Sequence, residues 1–109
     1  MIKTDIIKYQ VITHCFINNI SLSDAELKCL TELILQGSAE LNTFCLFISD
    51  RKIFNSPQTV RNCLNKIQKH NLIFKEGKNK KNIYVNPMLN IKYEGNIILD
   101  FKFLLHESN

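Results

Sequence analysis

Residues 56–70 hold the densest set of recognition-type side chains in this chain of 109 residues. On a helical wheel of about 100° per residue, Val60, Cys63, Leu64 and Ile67 point one way. Gln58, Asn62, Asn65 and Lys69 point the other way, with Thr59, Arg61 and Lys66 on the flanks. The outer set offers amides, a hydroxyl and cations, and it lacks any carboxylate. Asn and Gln match the paired donor and acceptor of an adenine edge, whereas Arg and Lys match guanine or phosphate. A helix face that only meets solvent usually mixes both signs to form i,i+4 pairs.

The surrounding charge has the same sign. Residues 51–81 contain nine basic side chains (Arg51, Lys52, Arg61, Lys66, Lys69, Lys75, Lys78, Lys80 and Lys81) and one acid, Glu76. That segment carries +8, and the chain's net charge is +4, which leaves −4 for the rest. Clustering of one sign is the electrostatic footprint of a phosphate-binding face. Two plainer readings stay open: a charge run can be a solvated surface, and lysines at a hairpin edge can serve to block strand-to-strand aggregation.

Several elements must position these residues. Ser56 before Pro57 is a strong helix start, because the missing N–H of Pro falls where it would have no partner. Upstream, Ser23 and Glu26 have capping-box spacing, Ala25, Leu27, Leu30, Leu33 and Ile34 form an apolar stripe, and Gly37 is a natural stop. A helix is expected over Asp24–Gln36. A shorter helix is expected over residues 41–51, with Phe44, Cys45, Phe47 and Ile48 inward. After residue 71 the period changes to two: Ile73–Glu76 and Asn82–Val85 flank Gly77, Lys78, Asn79, Lys80 and Lys81 as a hairpin with a basic tip. Residues 5–17 alternate through Ile7, Tyr9, Val11, Thr13, Cys15 and Ile17, which predicts a strand. A turn at residues 93–96 and a final strand over 97–105 complete a single α+β domain.

The order of helix, short helix, capped helix and basic hairpin is the outline of a winged helix-turn-helix, with residues 22–87 as its core and the two terminal strands added. In such a fold the third helix enters the major groove and the hairpin wing reaches nearby phosphates. The run Ser56, Pro57, Gln58, Thr59, Val60, Arg61, Asn62, followed by Leu64, Ile67, Asn71, Leu72 and Ile73, resembles the S-x-x-T-V-x-x-x-L…x-L-I pattern of winged-helix regulators. Asn82, Ile83, Tyr84, Val85, Asn86 and Pro87 are similar to the end of the wing in plasmid replication initiators of the RepL type. The resemblance implies sequence-specific binding of double-stranded DNA, in transcription control or in plasmid or phage replication. Ser56, Gln58, Thr59, Arg61, Asn62, Asn65, Lys66 and Lys69 are the expected DNA contacts on the helix. Lys75, Lys78, Lys80 and Lys81 are those on the wing.

Other classes find less support. No G-x-S-x-G or phosphate-cradling glycine loop occurs, and His14, His70 and His106 are scattered, so no enzyme, cofactor or catalytic residue is expected. Cys15, Cys29, Cys45 and Cys63 lack zinc-site spacing and read as small core residues, so no metal is expected. No apolar run is long enough to span a bilayer and residues 1–5 lack the layout of a signal peptide, which points to the cytoplasm of a bacterial or phage-infected cell. The terminal strands are open to two readings, pairing within one chain or pairing in a homodimer suited to two half-sites. The rival function is a winged helix that binds protein in a phage or other assembly.

Overall fold

Side-chain caps mark the starts of three of the four α-helices among the described residues. A computed structural model describes residues 2–92. Its first helix, α1, spans Lys3–Ile17, and α2 spans Asp24–Gln36. At the start of α2 the Ser23 hydroxyl accepts from the Glu26 N–H, while the Glu26 carboxylate accepts from the Ser23 N–H at 2.7 Å. Gly37 ends the helix at φ +84°, a left-handed conformation that glycine adopts without strain. Helix α3 covers Leu41–Asp50 and α4 covers Pro57–Lys69, the latter capped by Ser56 with Pro57 in its first turn.

A three-stranded antiparallel sheet completes the α+β fold: β1 (Ser38–Glu40), β2 (Ile73–Glu76) and β3 (Asn82–Val85), in the order β1-β3-β2. Strands β2 and β3 form the expected hairpin, with Ile73 opposite Val85 and Glu76 opposite Asn82. Strand β1 was not expected. It pairs Ser38 with Tyr84 and Glu40 with Asn82, and the Leu41 N–H then donates to the Lys81 carbonyl as the chain enters α3. The arrangement is compatible with the expected winged outline.

One contiguous core joins these layers. Phe44, Leu30, Leu33, Ile48, Leu64, Ile67, Leu72 and Ile83 are all fully buried within it. The four cysteines are free and buried, as their apolar contexts suggested. Among the described residues no helix is long and apolar enough to cross a membrane.

Residues 5–17 require a correction: they are helical, not a strand. Of the six residues in the expected strand face, Ile7, Val11 and Cys15 are buried, and Tyr9, Thr13 and Ile17 are not. An i, i+4, i+8 series is also every second member of a period-two series, so one pattern serves both geometries. The helix places only this subset against α2 and the core. Burial there outweighs the strand preference of β-branched side chains, which is a weak and context-dependent bias. The final strand over residues 97–105 lies outside the described residues. Because residues 5–17 are a helix, strand pairing between the two termini no longer has its first partner.

Candidate nucleic-acid interface

Helix α4 is built to show one face. Val60, Cys63, Leu64 and Ile67 are buried, and Gln58, Thr59, Asn62, Asn65 and Lys69 are directed outward. The inner four fix the rotation of the helix, so the sequence of the buried face determines which side chains stand outward. At the helix start the Ser56 hydroxyl accepts from the Thr59 N–H at 3.3 Å, and the two hydroxyls lie 2.9 Å apart. Gln58 Nε2 donates to Asn62 Oδ1 at 3.1 Å, one turn on. This row is carboxylate-free.

The flanking cations are engaged. Arg61 donates to Asn42 Oδ1 at the start of α3, which ties the two helices together beside the outward row. Lys66 pairs with Glu26 of α2 at 2.8 Å and is turned toward that helix. Burial opposes ionisation of Glu26. Even so, the Lys66 ammonium, the Ser23 N–H and hydroxyl, and the positive charge of Lys66 together hold its carboxyl below the usual glutamate range.

The hairpin joins the same surface through one bond. Lys75, on β2, donates from Nζ to Asn65 Oδ1 at 2.8 Å. Beyond it the tip turns through Gly77 at φ +91°, and Asn79 and Lys80 at φ +60° and +53°. Lys78, Lys80 and Lys81 are exposed on this turn, alongside the exposed acid Glu76. Phe74 and Tyr84 stack across β2 and β3 with ring centroids 5.3 Å apart, which stiffens the hairpin below the tip.

Of the expected site residues, the structure therefore gathers Gln58, Thr59, Asn62, Asn65 and Lys69 on α4, with Ser56 capping the helix and Lys75 bonded to Asn65. Arg61 borders the row, and Lys66 leaves it for Glu26. The tip lysines form a separate exposed group on the hairpin. Two residues were not anticipated. Asn42 contributes an amide beside Arg61, and Glu40 places an acid near Lys81. The side-chain hydroxyl of Thr43 and the N–H groups of Thr43 and Asn42 donate to the Glu40 carboxylate and hold its pKa low. Glu is not one of the usual N-cap residue types, so Glu40 gave no capping signal that the sequence could show.

Among the described residues no group of three or more His, Cys, Asp or Glu side chains could hold a metal. No protein-family model matches the chain, and no curated protein or solved structure matches it.

Proposed function

We propose that the protein is a winged-helix DNA-binding protein, with α4 lying in the major groove and the β2–β3 tip over an adjacent phosphate backbone. The observation that carries this reading is the outward, carboxylate-free row of Gln58, Thr59, Asn62, Asn65 and Lys69. Its amides are short and held, Asn62 by Gln58 and Asn65 by Lys75, so they reach a base edge with little loss of side-chain freedom. Lys78, Lys80 and Lys81 supply phosphate contacts, which position the protein without reading sequence. The biological role in this reading is transcription regulation or the initiation of plasmid or phage replication.

Selection of bound duplexes from a random library, with the pure protein at moderate salt, tests this directly. Enrichment of a defined site is the expected result. Absence of duplex binding even at low salt overturns the reading and leaves the α4 face to a protein partner.

A further inference from the structure

Hydrogen bonds within the outward row of α4 decide which of its polar atoms are left to meet a ligand. Gln58, Asn62, Asn65 and Lys69 fall within about 60° of one another on the helix, so they form one line along it. Asn65 Oδ1 accepts from Lys75 Nζ at 2.8 Å. That bond turns the amide oxygen toward β2 and leaves Nδ2, a donor, as the group on offer. Lys75 itself carries donors and no acceptor. The pair therefore presents donors alone. Gln58 and Asn62 are bonded differently: Gln58 Nε2 donates to Asn62 Oδ1 at 3.1 Å, which engages one nitrogen and one oxygen. What remains is an acceptor, Gln58 Oε1, and a donor, Asn62 Nδ2.

Base edges in the major groove differ in the same terms. Guanine shows acceptors at N7 and O6, whereas adenine shows an acceptor at N7 and a donor at N6. A donor-only pair satisfies guanine and sets the adenine amino group against another donor. An acceptor beside a donor satisfies adenine. Lys75 also stands apart from the lysines of the tip. It is half-buried and held beside the α4 row, while Lys78, Lys80 and Lys81 are exposed beyond it. With α4 in the groove, a lysine fixed to that row faces base edges, and the phosphates lie to either side.

We propose, resting on the DNA-binding reading above, that Lys75 reads sequence rather than phosphate. Together with Asn65 it selects a guanine, on the base pair next to an adenine selected by Gln58 and Asn62. Residues about three apart on a helix meet successive bases when the helix lies in the groove, as in zinc fingers, and Asn62 and Asn65 have that spacing.

The test uses the full chain, the duplex recovered by selection and every single-base variant of that duplex. Exchanging one G·C pair should weaken binding about tenfold, and a neighbouring pair should show the same dependence on A·T. Lys75→Met and Asn65→Ala should each remove most of the preference at that one G·C pair, and the double variant should lose no more than either alone. Asn62→Ala should relax the A·T pair and leave the G·C pair in force. Placing 7-deazaguanine at the site removes the N7 acceptor without touching the protein. It should weaken binding by the unaltered protein, and by the Lys75→Met variant much less. A defined site with no such G·C dependence overturns the proposal, and so does a Lys75→Met variant that weakens every duplex by the same factor. Both outcomes leave the DNA-binding reading standing, whereas absence of duplex binding at low salt overturns the two together.

Discussion

At the residue scale, single side chains in this structure hold elements in register. Lys66 has the residue type expected of a DNA contact, yet it pairs with Glu26 at 2.8 Å and connects α4 to α2. Glu26 has a folded pKa below its unfolded one. Its contribution to stability is therefore present above the unfolded value and is lost as pH falls through the folded value. Glu26→Gln should destabilise the protein at neutral pH, by less than about 1 kcal/mol because solvent screens the partly exposed Lys66. The gap from the unaltered protein should close below the usual glutamate range, as read from denaturant midpoints across pH. Gly77 is constrained more severely. At φ +91° and ψ −179° it occupies a region open essentially to glycine alone, and an added Cβ would stand 2.8 Å from Asn82 Nδ2. Gly77→Ala should cost on the order of 1–3 kcal/mol in equilibrium unfolding. An unchanged midpoint would show that the tip takes another course.

At the element scale, legibility followed the strength of local chemistry. Helices α2 and α4 were readable because Ser23, Glu26 and Ser56 satisfy backbone donors by local means and Pro57 removes one, and local means are visible in sequence. The hairpin was readable from its glycine and its period of two. Strand β1 was hidden, since three residues are too few to show any period and its pairing partner lies over forty positions away. Helix α1 was misread because Ile7, Val11 and Cys15 fit both a strand and a helix, and only packing chooses. That choice is testable. Ile7→Ala should cost about 2–5 kcal/mol, as a large-to-small change in a packed core. Thr13→Ala, on the same face of the expected strand but outward on the helix, should stay within about 0.5 kcal/mol. Equal costs at the two positions would restore the strand. The site was legible to the same degree as its helix: the wheel assigned the outward row of α4 correctly, but the partners of Lys66 and Arg61 come from other helices and left no trace in local sequence.

At the scale of the whole molecule, the charge is divided, with +8 in residues 51–81 and −4 elsewhere. The proposed function separates two kinds of contact within that basic segment, and the separation can be measured. Changing Lys78, Lys80 and Lys81 together to Ala should weaken binding to all duplexes alike. It should also flatten the dependence of log affinity on log salt by about 0.9 for each phosphate no longer neutralised. Asn62→Ala or Asn65→Ala should leave that slope in place, because an amide releases no counterion. It should instead reduce discrimination at one base pair by about 1–3 kcal/mol. Titrations of the selected site and of single-base variants, at several salt concentrations, give both quantities from the same proteins. If the amide variants flattened the slope while the lysine variants left it unchanged, the roles of helix and wing would be reversed. If neither set altered binding, DNA would be meeting another surface altogether, and the acid-free face of α4 would owe its composition to a different partner.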